Sequence, residues 1–238
     1  MSGRMEIKMK KHIRFIGIAL ALCALMLCFV SCAGAEEKET GSGIDIVNSL
    51  VAKRIDSMEV SDFKEVSGKS DYVLIKVKDY GDIVVALRED VAPISVKNFK
   101  KLVADNFYDG MIFHRVMENF MIQGGGGTEY KDGKLTSKYT DPIKGEFYEN
   151  GVANNLKHMR GVISMARTSK LDSASSQFFI MHAESTSLNG SYAAFGYVLA
   201  GMDVVDAIAT CEVDATDKNA PFPVEPVVIE TMTFVKPK

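Results

Sequence analysis

Arg115, Gln123 and Gln177 are the polar residues best placed to share one site. They sit in Phe113-His114-Arg115-Val116, in Phe120-Met121-Ile122-Gln123 ahead of four glycines, and in Ser176-Gln177-Phe178-Phe179-Ile180-Met181. Each run reads as a short strand, on which successive side chains face opposite ways. Met121 and Gln123 therefore share a face, and so do Gln177 and Phe179. Together they offer a permanent cation, two amides and soft apolar groups. There is no nucleophile–base pair and no metal-ligand spacing. A site of that composition suits a reaction in which no covalent bond breaks.

The rest of the chain must hold these runs in place. Val73 to Val77 and Ile83 to Leu87 flank Asp79-Tyr80-Gly81-Asp82, a hairpin signal. Ala92-Pro93 opens a helix with Val96, Phe99, Leu102 and Val103 on one stripe, and Gly201 to Thr210 reads as a second helix. Gly161 to Arg167 and Pro226 to Val235 read as strands. Lys131 to Asn155 reads as a polar loop region, with Phe147 tucked inward. Many short strands and two helices, without strand–helix alternation, argue for an antiparallel barrel. Gly124 to Gly127 lack the lysine and hydroxyl of a phosphate-binding loop, so they are expected to permit close backbone approach.

Phe113-His114-Arg115-Val116, Phe120 to Gly125, Gly161-Val162-Ile163-Ser164-Met165-Ala166 and Ser176 to Ile180 resemble, in order, the signature blocks of the cyclophilins, peptidyl-prolyl isomerases that bind cyclosporin. Phe195-Gly196-Tyr197-Val198 and Gly201-Met202 extend the likeness, which spans roughly Tyr72 to Val235. The resemblance implies an all-β fold, a closed eight-stranded antiparallel barrel capped by two α-helices, and catalysis of X–Pro rotation without cofactor or metal. It assigns Arg115 to the prolyl nitrogen and Phe120, Met121, Phe179 and Leu188 to the proline ring. Gln123 would hold the preceding carbonyl. Ala166, Arg167, Thr168, Gln177 and Tyr192 would line the adjoining groove. His114 is expected to be structural, because rotation transfers no proton and alternation turns it away from Arg115.

Three positions depart from the family pattern. Arg167 replaces a common Asn, Ser187 stands where cyclosporin-sensitive members carry Trp, and Tyr192 where some carry His. Weak cyclosporin binding is therefore expected. Proline-containing unfolded or folding polypeptides are the expected partners of a monomer. A binding module or chaperone with little turnover is the alternative class. A lipid-anchored solute-binding protein would need a two-domain α/β pattern that is missing.

Arg4, Lys8, Lys10, Lys11 and Arg14 precede an apolar run from Phe15 to Val30, the layout of a secretory leader. Ser31-Cys32-Ala33-Gly34 resembles a bacterial lipoprotein cleavage box, with Cys32 lipidated and the protein anchored on the outer face of the cell membrane. Cleavage after Ala33-Gly34-Ala35, giving a secreted protein, and an uncleaved anchor are the alternatives. The reading divides the chain into a leader at 1–31, a polar tether with a possible short helix at 32–68, and the isomerase domain at 69–238. Five of the 28 basic and one of the 31 acidic residues lie in the leader, leaving 23 and 30, a net charge near −7. A mildly acidic domain without a basic stripe is a poor match for nucleic acid. Cys211 is the one cysteine outside the leader region, which excludes an internal disulfide and fits a small buried or half-buried residue.

Overall fold

Strands β2 (Tyr72–Val77) and β3 (Gly81–Leu87) show how the pattern builds the molecule. In the computed structural model, which describes residues 43–131, 134–138 and 140–238, Val73, Ile75 and Val77 of β2 and Ile83, Val85 and Leu87 of β3 all point into one interior. The residues between them face outward. The leader, Cys32 and the adjoining polar stretch lie outside the described residues.

The remaining barrel strands are β4 (Met111–Met117), β5 (Met121–Lys131), β7 (Val162–Met165), β8 (Phe178–Met181), β9 (Ala194–Ala200) and β12 (Ile229–Pro237). Shorter pieces are β1 (Phe63–Glu65), β6 (Lys134–Ser137), β10 (Val213–Asp214) and β11 (Phe222–Pro223). Neighbours run antiparallel in the order β12-β2-β3-β9-β7-β8-β5-β4. The ends of that path meet: the Gly110 N–H donates to the Ile229 carbonyl at 2.8 Å and the Phe113 N–H to Val227 at 3.0 Å. Eight strands thus close into the expected barrel, and closure leaves no open edge on the ring.

Helices α2 (Pro93–Ala104) and α3 (Met202–Ala209) contribute Val96, Phe99, Leu102, Val205 and Ile208 to the interior cluster, as caps of a barrel must. Pro93 stands in the first turn of α2, where its missing N–H costs nothing. The polar reading of 131–155 missed a hairpin: β5 continues through the glycines to Lys131 and turns back into β6. The flanking residues lack apolar alternation, so the sequence carries no strand signal there.

A third helix, α1 (Gly43–Arg54), precedes the barrel. Its Val51 is buried, and β1 pairs with β12, so one compact unit runs from Ser42 to Lys238. Residues 43–65 thus pack with the barrel, although only a few of them carry apolar side chains inward.

Candidate active site

Alternation places Ile122, Phe178 and Ile180 in the barrel interior and turns Met121, Gln123 and Phe179 to its outer wall. Gln123 lies opposite Arg115 on β4 and opposite Phe179 on β8, so three strands present their site residues side by side. Between Phe113 and Arg115 the register slips by one residue, a bulge that leaves His114 as the extra residue. Its ring lies over Gly126, where a Cβ would stand 2.4 Å from Cε1. Gly125 has φ +70°, and a Cβ there would meet the Ser176 carbonyl at 2.6 Å. The glycines thus allow close packing.

Arg115 is half-buried and tied down on several sides. Its Nε–H donates to the Asn219 carbonyl at 2.7 Å and Nη1–H to Gln123 Oε1 at 3.2 Å. Nη2 lies 3.1 Å from the Met117 sulfur, and the guanidinium carbon 5.8 Å from the Phe120 ring centre. Burial lowers its pKa, with Tyr192 and Asp217 pulling the other way. Gln123 Nε2–H in turn donates to Gln177 Oε1 at 2.8 Å.

These residues border a cavity of about 110 Å³. Arg115, Gln123 and Ala166 supply its polar and backbone margin; Phe120, Met121, Phe179 and Leu188 its apolar wall; Arg167 and Tyr192 close it. The space equals roughly four water volumes. That suits a five-membered ring and is well below the ~300–1,000 Å³ of cofactor pockets. A larger cleft of about 740 Å³, with Asp56, Glu59, Asp82 and Asp203 on its walls, shares none of these residues.

Of the residues expected in the groove, Gln177 is joined through Gln123 without lining the cavity. Thr168 stands apart. Its N–H and hydroxyl both donate to Ser173 Oγ, at 3.0 and 2.8 Å, pinning it into the 168–175 turn. Short hydroxyl side chains favour such local bonds over reaching into a groove. The Arg167 guanidinium is sandwiched between Phe147 and Tyr192, 4.9 and 4.7 Å from the ring centres. Nε–H donates to the Ser191 carbonyl at 2.9 Å, and Glu149 approaches to 3.9 Å. Ser187 lies in a short turn at Thr186–Leu188, its Oγ 3.0 Å from Ser185 Oγ.

The sequence passed over His158, which backs the pocket. Its ring stacks on Phe179 at 5.9 Å and meets Tyr192 edge-on at 6.5 Å. Nε2 lies 3.0 Å from Ser164 Oγ and Nδ1 3.2 Å from Asn189 Oδ1. Burial pushes its pKa down to about 4. The unfolded chain takes up this proton near pH 6.5 while the folded one refuses it, so stability is full above that pH and falls between about 6.5 and 4. The loss is on the order of 2–4 kcal/mol. A chemical-denaturation series across that window should show the fall, flattened in His158→Gln; identical slopes would contradict it.

A family model described as cyclophilin-type peptidyl-prolyl cis-trans isomerase matches residues 72–234. The chain belongs to that family. An Acinetobacter baylyi peptidyl-prolyl cis-trans isomerase is 48% identical over 154 residues, covering 63% of this chain and 78% of the relative. Peptidyl-prolyl cis-trans isomerase B of Escherichia coli is 39% identical over 163 residues, covering 65% and 94%. A Cryptosporidium parvum cyclophilin, solved in the presence of the dipeptide Ala-Pro, superposes with a TM-score of 0.57 at 30% identity, covering 68% of this chain and 98% of that one. The cyclophilin is thus an isomerase whose barrel wall holds the small cavity described above. Among its described residues no cluster of three or more metal-ligating side chains occurs.

Proposed function

We propose that this cyclophilin accelerates X–Pro rotation in proteins folding outside the cytoplasmic membrane, with Arg115 donating to the prolyl nitrogen at the twisted midpoint. Rotation sacrifices amide resonance, a barrier of about 18–20 kcal/mol. At the midpoint the nitrogen regains a lone pair and accepts a hydrogen bond it could not accept in either planar state. A donor aimed there binds the transition state better than the substrate. Turnover of roughly 10–10³ per second requires about 4–7 kcal/mol of stabilisation. A charge-assisted hydrogen bond supplies about 1.5–3 kcal/mol, and a dry notch that fixes the carbonyl supplies the remainder.

The observation that carries the reading is the position of the Arg115 fork on the margin of a 110 Å³ notch walled by Phe179 and Met121. Of its five N–H groups, one goes to Asn219 and one to Gln123, and the contacts to sulfur are weak. Donors therefore remain for a nitrogen seated above the notch. In this reading Phe120, Met121, Phe179 and Leu188 hold the ring, Gln123 the preceding carbonyl, and Gln177 orients Gln123. Measuring isomerisation by a protease-coupled assay beside peptide affinity, in wild type and Arg115→Ala, tests it. Lost rate with retained affinity supports the enzyme mechanism; rate retained in the variant removes it.

The address rests on sequence alone: the basic start, the apolar run and Ser31-Cys32. A Cys32→Ser chain should leave the membrane fraction and lose incorporation of an alkyne-tagged fatty acid. Unchanged fractionation and labelling would refute the anchor. Cyclosporin should inhibit only at micromolar or higher concentration, because Ser187 supplies no large ring beside Leu188. Inhibition at nanomolar drug in the same assay would overturn that expectation.

A further inference from the structure

The outer wall of a barrel in water is ordinarily polar, yet β9 (Ala194–Ala200) is buried at every residue. Leu74, Val84, Ala86, Tyr197 and Leu199 form an outward apolar cluster, and Val51 of α1 and Phe63 of β1 cover it. The same cluster contains Met121 and Phe179, the walls of the proline notch. Residues 43–65 thus lie on an apolar surface that continues into the site, although they precede the family-matched 72–234.

Asn48 ties this strap to the chain behind the pocket, alongside an exposed ion pair of Asp45 with Lys157 at 3.5 Å. Asn48 is 5% exposed and grips an extended segment with both ends of its amide. Its Nδ2–H donates to the Asn155 carbonyl at 3.0 Å, and the Lys157 N–H donates to its Oδ1 at 2.9 Å. This is the pairing a neighbouring strand would make. The next residue is His158, which stacks on Phe179 and abuts Tyr192. Leu156, on the other side of Lys157, is buried with Val51 in the outer cluster.

We propose that the α1 strap is a positioning element of the isomerase: Asn48 fixes residues 155–157 and, through them, the His158 ring on which Phe179 and Tyr192 rest. The strap touches no reacting atom. It sets the width of the notch, so it governs how well a prolyl ring is held. This inference rests on the isomerase reading above.

The test uses the full chain purified in detergent, with ¹³C-labelled histidine and His158→Gln to assign the signal. Asn48→Ala should raise KM about fivefold, the effect of losing roughly 1 kcal/mol of support, with kcat within twofold. The His158 titration should move up from about 4 toward the ordinary 6.5 as water reaches the loosened ring. Asn48→Asp keeps the acceptor for Lys157 and loses the donor to Asn155, so it should fall between; it carries the same measurements should Asn48→Ala not fold. Leu50→Ser, on the exposed side of the same helix, should change neither quantity. An unchanged KM or an unchanged His158 titration in a folded Asn48 variant overturns the proposal. Absence of turnover in wild type defeats the isomerase reading instead. In that event NMR affinity for an Ala-Pro peptide takes the place of KM.

Discussion

Arg115→Ala should lower kcat/KM by about 10²- to 10³-fold, the range seen when one preorganised donor to developing charge is removed. The estimate follows from where the guanidinium sits. Tied to Asn219 and Gln123, it needs little reorganisation as the imide twists, so most of its interaction is realised only in the transition state. The loss should therefore fall on kcat, with peptide affinity changing less than about threefold. Arg115→Lys is a sharper probe. Lysine keeps the charge but has no planar fork with which to hold Asn219 and Gln123 while donating to a third acceptor. A loss of about tenfold or more is expected, although the charge is conserved. Folding should be little affected in either variant, because Arg115 lies at the cavity margin and the bonds it gives up are open to water. A variant whose KM rises with kcat unchanged would show that Arg115 only binds the peptide, and the catalytic role would be lost.

What the sequence conveyed and what it hid divide along a physical line. The strands were legible where one side packs on a core, as in Val73-Ile75-Val77 against Ile83-Val85-Leu87. Three short runs delivered Arg115, Phe120, Met121, Gln123 and Phe179, five of the nine residues that line the notch, and a period of two put Met121 and Gln123 on one face. Features made by distant partners left no such trace. The carbonyl holding Arg115 belongs to Asn219, 104 positions away, and any residue type could supply it. Arg167 read as a change at the groove, but its bed of Phe147, Tyr192, Ser191 and Glu149 comes from separate turns. Thr168, which the resemblance assigns to the groove, spends its N–H and hydroxyl on Ser173, five positions on, a local bond that no motif announces. An isolated histidine such as His158 cannot announce that it underlies an aromatic wall. Thr128 to Lys131 and Lys134 to Ser137 carry no apolar alternation in the sequence, so the hairpin of β5 with β6 left no strand signal.

Glu146→Ala should be the most destabilising polar substitution in the domain, by about 3–4 kcal/mol. The side chain is 2% exposed and sits at the start of α2, whose own cap residue, Ala92, offers no side-chain acceptor. Its two oxygens do that work from 52 positions away. Oε1 accepts from the Ile94 N–H at 2.9 Å, and Oε2 from the Ser95 N–H and hydroxyl, both at 2.7 Å. The first N–H groups of a helix have no partner within it, and the helix dipole favours an anion there. Truncation leaves the two buried Ser95 donors unpaired, each costing about 1–3 kcal/mol before water recovers part of it, while the half-buried Ile94 N–H can turn to water. For a domain of this size each kcal/mol moves Tm by about 2–4 °C, so a drop of roughly 6–16 °C is expected. Glu146→Gln keeps the shape and one good acceptor and should lose about half as much. By contrast, removing the exposed Lys101–Asp105 pair should cost no more than about 0.5 kcal/mol. The consequence reaches the groove, because the next residue, Phe147, carries the Arg167 guanidinium. Glu146→Ala should therefore raise KM even at temperatures where it is fully folded. A melting point within 2 °C of wild type would mean that water replaces the carboxylate, and this account of the α2 cap would fail.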